Sequence, residues 1–302
     1  MDNKIVLVTG ATGFIGSHFC QKAQDQGLQV IALTRNLDKA HHRLPNVTAI
    51  QNIEALSSID KIDYVVNLAG EPLVSGRWNA ARKQEFHDSR IGTTNHLYDY
   101  FQKSPKPPRI LISGSAVGYY GPHRDKLLDE AAKYHDSYAH QLCSAWEQAA
   151  SQFNQLGTRV CCLRTGIVLG AEEGALDRML TPFKLGLGGR LGSGKQWMPW
   201  IHIDDVVELI FHCLKRSDIR GSINASSPNP VTNKQFTKTL GSVLSRPAIL
   251  PMPSAMVRLL FGEMADELLL TGQRVYPRKA LESGYKFRYP ELRSALEQLL
   301  LV

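Results

Sequence analysis

Ile5-Val6-Leu7-Val8-Thr9-Gly10-Ala11-Thr12-Gly13-Phe14-Ile15-Gly16 is the stretch that decides the fold. Its continuous aliphatic start is what a strand covered on both faces of a parallel sheet requires. Glycines follow at once, and Phe14 to Gln26 then reads as a helix that ends before Gly27. A glycine pattern alone is weak evidence, but a buried strand before it and an apolar-periodic helix after it supply the missing context. There Gly10 gives the tight turn, Gly13 lets backbone approach a pyrophosphate, and Gly16 lets the helix pack closely on the strand. Thr12, Phe14 and Ile15 complete the loop and the first helical turn, whose free N–H groups and positive dipole end favour phosphate.

Reading outward, Leu28 to Thr34 is a second strand, and its end selects the dinucleotide. A site for NAD places Asp or Glu there to bind the ribose 2′-hydroxyl. This chain has Thr34-Arg35-Asn36 instead. A carboxylate would repel a 2′-phosphate, whereas a guanidinium pairs with it through charge-assisted, bidentate contacts. Arg35 therefore points to NADP(H).

Further strands are expected at Tyr64 to Leu68, Arg109 to Ser113 and Thr158 to Leu163, with helices at Asn79 to Phe101 and His135 to Leu156. Strand and helix alternate from the start, which predicts an α/β Rossmann-type doubly wound parallel sheet. After Arg164 the texture changes. Gly186 to Gly194 holds five glycines, too many for a regular element, and reads as a loop over a ligand. The expected division is a nucleotide-binding domain over 1–165, completed by about 203–225. A smaller, mostly helical substrate domain takes 166–202 and 226–302.

Composition excludes several classes. The 302 residues carry a net charge of +7, but basic residues are interleaved with acids and form no run, so nucleic acid is not the expected partner. No apolar run approaches the ~20 residues that span a bilayer. The N-terminal apolar run is too short for a secretory signal, so a cytoplasmic protein is expected. The cysteines, Cys20, Cys143, Cys161, Cys162 and Cys213, show no metal spacing and read as reduced core residues; no metal site is expected. The partner is a small molecule, and some of the positive charge fits a phosphorylated one. Monomer and homodimer both stay open.

Several segments carry a resemblance beyond the glycine loop. Val8 to His18 resembles the opening of the extended short-chain dehydrogenase/reductases, the group of sugar-nucleotide epimerases and dehydratases. Asn67-Leu68-Ala69-Gly70 is similar to that group's turn beside the cofactor, and Ser113 to Gly121 to its catalytic-serine segment, with Ser115 at the serine. Ile201 to Val206 resembles its return to the nucleotide domain. Asn67 to Leu73, Asp88 to Thr93 and Gln273 to Lys279 look like one atypical epimerase branch of that group. The resemblance implies that Leu68, Ala69 and Gly70 lie against the dinucleotide, and that Ile167 and Val168 lie beside the nicotinamide.

One departure from the family pattern matters most. Those enzymes use Tyr-x-x-x-Lys, in which the lysine lowers the tyrosine's pKa so that a phenolate moves protons. Two registers are open here, and neither gives the pair. If Tyr138 is the tyrosine, Leu142 replaces the lysine; if Trp146-Glu147 sets the alignment, Ala139 and Cys143 hold the two places. Ser115 remains to polarise a substrate oxygen, with Tyr119 or Tyr120 reaching the same pocket and Glu71 as an acid or base. Arg90 is a candidate for orienting an anionic substrate. Two functional readings stand: an NADP-dependent epimerase or oxidoreductase acting on a carbonyl or alcohol of a substrate such as a nucleotide sugar, and a non-catalytic NADPH sensor.

Overall fold

The computed structural model describes residues 3–59 and 61–301. Strands lie at β1 (Ile5–Thr9), β2 (Gln29–Leu33), β3 (Thr48–Ile50), β4 (Tyr64–Asn67), β5 (Ile110–Ala116), β6 (Leu127–Leu128) and β7 (Arg159–Thr165). They continue with β8 (Ile167–Leu169), β9 (Trp197–Met198), β10 (Trp200–His202), β11 (Gly221–Ala225), β12 (Val231–Thr232) and β13 (Arg274–Val275). The helices of the first half are α1 (Phe14–Asp25), α2 (Leu37–Arg43), α3 (Ala80–His87), α4 (Thr93–Phe101) and α5 (Tyr138–Ser151). Those of the second half are α6 (Gly174–Lys184), α7 (Ile203–Lys215), α8 (Asn233–Val243), α9 (Ser254–Phe261), α10 (Arg278–Glu282) and α11 (Leu292–Leu301).

Among the described residues, seven parallel strands form one sheet in the order β11-β7-β5-β4-β1-β2-β3. The order reverses at β1, so the loops after β1 and β4 flank the crevice where open α/β sheets bind ligands. β1 shows why the run had to be apolar throughout. Val6 and Val8 enter one core with Phe19, Ile210 and Phe211, while Leu7 enters the opposite core with Leu97, Phe101 and Phe153. Each such side chain contributes about 1.5–3 kcal/mol on burial, so a polar residue at any of these positions would be costly.

A third core gathers Leu176 and Phe183 of α6, Phe236 and Leu240 of α8, and Leu292 and Leu296 of α11 around Trp200. α6, α8 and α11 thus share a core of their own, while α7 packs on the main sheet with α1 and β11 joins that sheet beside β7. The helix expected over Asn79 to Phe101 is helical from Ala80 onward and widens to a π-helical turn at Asp88–Gly92, which carries the Arg90 side chain inward. The helix expected from His135 begins at Tyr138, because Ser137 caps it by accepting from His140 N–H. The short elements α2 and β3 had too little periodicity to be read. No helix among the described residues is long and apolar enough to cross a membrane.

Candidate functional site

The glycine corner is built by exclusion of side chains. Gly10 sits at φ +66°, and a Cβ there would lie 2.6 Å from the backbone carbonyl of Leu68. A Cβ on Gly16 would overlap the carbonyl oxygen of Gly10. Gly13 closes the turn by donating its N–H to Gly10 O at 2.9 Å, and as the N-cap of α1 it offers no side chain to the first-turn N–H groups. Those donors face a cradle framed by Ala11 and Thr12, with Phe14 and Ile15 opening the helix; the Phe14 ring packs against Gly170 and Gly174. The geometry fits a phosphate group.

The β4 loop is locked to this corner. Thr9 Oγ1 donates to Asn67 Oδ1 at 2.6 Å and accepts from Ala69 N–H at 3.2 Å, and Asn67 Nδ2 donates to Thr94 Oγ1 at 2.8 Å. Leu68, Ala69 and Gly70 therefore follow β1 closely. Behind them the Arg90 guanidinium lies against Gly70, donates to Glu71 O at 2.9 Å and stacks on the Trp146 ring. Arg90 is buried, which lowers its pKa, so it clamps this loop from behind. Arg35 is 88% exposed just beyond β2, and its Nη2 reaches Glu71 Oε1 at 2.6 Å. Glu71 thus meets Arg35, and no hydrogen bond links it to Ser115. Ile167 begins β8, opposite Trp200 of β10.

Ser115 belongs to a second, buried assembly. On β5 it stands opposite Arg164 of β7, and Glu147 of α5 reaches over both. Ser115 Oγ donates to Glu147 Oε1 at 2.7 Å, and Arg164 grips the same carboxylate with Nε at 2.8 Å and Nη2 at 2.9 Å. Arg164 Nη1 also donates to the Tyr120 hydroxyl at 3.1 Å, which donates in turn to Asn224 Oδ1 at 2.6 Å. The guanidinium carbon sits over the Tyr119 ring, 3.3 Å from its centroid. Burial opposes the charge on Arg164, but Glu147 and Tyr120 overcome it and raise its pKa; burial pushes the Tyr120 phenol up to about 12. Arg164 therefore keeps its charge beside Glu147, with side chains only 4% and 14% exposed.

Helix α5 settles which residues face this assembly. Ala139 and the Cys143 thiol lie under Gly118, whereas Tyr138 points to α3, near Trp78 and Lys83 O. Of the two registers, the one set by Trp146-Glu147 matches the packing. Burial pushes the Cys143 thiol up to about 11, which suits a packing residue and not a nucleophile. Glu147, Arg164 and Asn224 are the site residues that sequence reasoning missed. The one available signal was charge at positions that the pattern assigns to the core: Arg164 directly follows the apolar run of a buried strand, and Glu147 follows a buried tryptophan. No group of metal-ligating side chains is found among the described residues.

This sheet order, glycine corner and serine strand define an extended short-chain dehydrogenase/reductase. The chain belongs to the NAD dependent epimerase/dehydratase family, whose model matches residues 6–225, and residues 252–299 match a domain of unknown function, DUF1731. It is 39% identical to the chloroplastic epimerase family protein SDR39U1 homolog of Arabidopsis thaliana, over 98% of this chain and 86% of that protein. The crystal structure of human epimerase family protein SDR39U1 with NADPH superposes with a TM-score of 0.88 at 36% identity, covering 98% of each chain. A nucleoside-diphosphate sugar epimerase from Corynebacterium glutamicum aligns at 29% identity and a TM-score of 0.79, over 98% of this chain and 58% of that one.

Proposed function

We propose that the chain is an NADP(H)-dependent epimerase or oxidoreductase acting on a carbonyl or alcohol of a small substrate such as a nucleotide sugar. The glycine corner carries the cofactor half of this reading. Backbone crowds Gly10 and Gly16 so closely that the cradle at the α1 N-terminus stays open to a ligand instead of a side chain. Gly10, Thr12, Gly13, Phe14, Ile15 and Gly16 would hold the pyrophosphate, Arg35 the 2′-phosphate, and Leu68, Ala69, Gly70 and Ile167 the remainder. The human relative crystallised with NADPH supports the choice of dinucleotide. When bound, the nicotinamide supplies reversible hydride exchange with a substrate carbon.

The proton work falls to Ser115 and Glu147. Because Ser115 Oγ gives its hydrogen to Glu147 at 2.7 Å, its lone pairs are free to accept from a substrate hydroxyl. Uptake of that proton by Ser115, as its own passes to Glu147, needs no Tyr/Lys pair. Arg164 fixes the carboxylate by its two-pronged grip, and the Tyr119 ring shields the pair from water on one side. Glu71, bound to Arg35, has no acid–base work in this scheme: it holds the guanidinium until the 2′-phosphate takes its place.

The test follows deuterium from 4-deuterated NADPH into nucleotide sugars by mass spectrometry. Transfer is expected with the wild-type protein and is expected to fall at least about a hundredfold in Ser115→Ala, the size of general acid–base assistance, with NADPH affinity unchanged. Full transfer by Ser115→Ala would remove Ser115 and its proton route. A second reading, an NADPH sensor without turnover, is favoured by Ala139 and Cys143 standing under Gly118 in the places of the missing pair. Tight NADPH binding with no deuterium reaching any metabolite of a cell extract would favour it.

A further inference from the structure

The stretch Pro247 to Leu260 is apolar but for Ser254 and Arg258, a composition suited to a buried segment. Only Val257 in this stretch is buried. Helix α9 takes up its second half and is apolar all round. Val257 faces the interior, and the following Phe261 packs with the core group of Trp78, Trp146 and Met264. Met256, Leu259 and Leu260, spaced i, i+3 and i+4, share another face and are half or more exposed. A helix apolar on every side is ordinarily covered on every side.

The uncovered face continues beyond the helix. Leu250 N–H donates to Gly188 O at 3.2 Å and Met252 N–H to Arg190 O at 2.9 Å, which lays this stretch along the preceding loop. Ile249 and Leu250 from the stretch, and Leu185 and Leu187 from the loop, are likewise half or more exposed. A Cβ on Gly192 would lie 3.6 Å from the Ser254 side chain, so loop and helix adjoin. Burying such side chains removes roughly 100 Å² each from water, so at these exposures the face holds on the order of 400 Å² of apolar surface. That is the apolar share of one side of a standard protein interface, which buries about 800 Å² per partner with somewhat over half of it apolar.

Charge decides what can cover the face. Arg258 is the one charge within the stretch, and it pairs with Asp266 at 3.0 Å. Lys83 pairs with Glu263 just beyond the helix at 2.7 Å, and Arg77 donates to Leu259 O. A helix whose neighbouring charges are already paired exerts little pull on a charged partner. It does let two copies of a chain of net charge +7 meet without burying an unpaired cation. A twofold interface asks for the same patch on both partners, and a stripe such as Met256, Leu259 and Leu260 laid against its own copy meets that demand.

We propose that the α9 face, with the adjoining 185–187 and 249–250 segments, is the surface through which two copies of this chain pair as a homodimer. The dimer does not depend on the cofactor or proton-transfer reading, since none of these side chains has a part in either.

Sedimentation velocity of the wild-type protein is the test. At on the order of 10 µM chain, a dimer of twice the 33.6 kDa chain mass is expected. Its dissociation constant is expected to change less than about twofold over a tenfold rise in salt, because an apolar face has no ion pairs to screen. Leu259→Glu puts a charge into the face twice per dimer and is expected to weaken pairing at least about a hundredfold. Ile249→Glu, in the stretch before the helix, is expected to weaken it at least about tenfold and keeps the proposal falsifiable if α9 itself is disturbed. Both positions are exposed, so NADPH affinity is expected to stay unchanged and to report an intact fold. Four results would overturn the proposal. One is a wild-type protein that stays monomeric up to on the order of 200 µM. Another is a dimer that both variants leave intact, and a third is a dimer that salt dissociates. The last is a monomer that binds vesicles of anionic phospholipid and loses them in Leu259→Glu, which would give the face to a lipid surface.

Discussion

The β1–α1 corner and the β5–α5–β7 cluster lie on the same sheet and carry function in opposite ways. At the corner, side chains are absent where function is expected: Gly10 and Gly16 touch backbone, and the donors are peptide N–H groups. In the cluster the side chains do everything, with Ser115, Glu147 and Arg164 drawn from three elements and locked by hydrogen bonds of 2.7 to 2.9 Å. The first is a contiguous backbone device and tolerates no added atom. The second is a buried charge network that tolerates no missing one. Both are preorganised, but they should fail differently.

Glu147→Ala is the change with the largest expected effect. It would leave the Arg164 guanidinium buried without its carboxylate, at a cost of about 3–5 kcal/mol, read as a lower midpoint in chemical denaturation. NADPH binding by the fraction that stays folded is expected to persist. A loss of less than about 1 kcal/mol would mean that Arg164 finds another partner and that the cluster is not the rigid unit described. Gly10→Ala breaks the corner instead. A side chain at φ +66° that also meets the Leu68 carbonyl should cost on the order of 3 kcal/mol in strain and overlap and abolish NADPH binding. Unchanged NADPH titration in this variant would contradict the crowding at the corner.

Smaller effects sharpen the contrast at the corner's outer edge. Arg35→Ala removes an exposed group, so stability should hold while NADPH affinity falls about tenfold and NADH affinity stays level, the worth of one charge-assisted contact. An equal fall for both dinucleotides would give Arg35 no part in reading the 2′-phosphate. Glu71→Gln is expected to act least and in the other direction. It frees Arg35 from its ion pair and should tighten NADPH about twofold, in keeping with the worth of exposed pairs. Weaker NADPH binding in Glu71→Gln would place the carboxylate in direct service of the ligand.

The same contrast explains what the sequence could tell. Five of the seven strands in the main sheet were readable from short aliphatic runs, because a strand buried on both faces leaves no room for polar residues. The glycine corner was readable because all of it lies within seven consecutive residues, Gly10 to Gly16. The Ser115–Glu147–Arg164 cluster spans 32 and 17 residues between its hydrogen-bonded partners, and nothing local ties them. The wide turn at Asp88–Gly92 was equally hidden, since helical periodicity runs through it and only the tertiary contact of Arg90 with Gly70 and Trp146 accounts for it. Likewise the choice between Tyr138 and Ala139 on α5 required knowing which face of the helix meets Gly118.

The most direct test of the central claim, that a side-chain-free corner edged by Arg35 selects the phosphorylated dinucleotide, is a parallel titration of the wild-type protein with NADPH and NADH. NADPH is expected to bind at least about tenfold more tightly at low salt, with a ratio that shrinks as salt screens the exposed guanidinium. Equal affinities, or a preference for NADH, would contradict it.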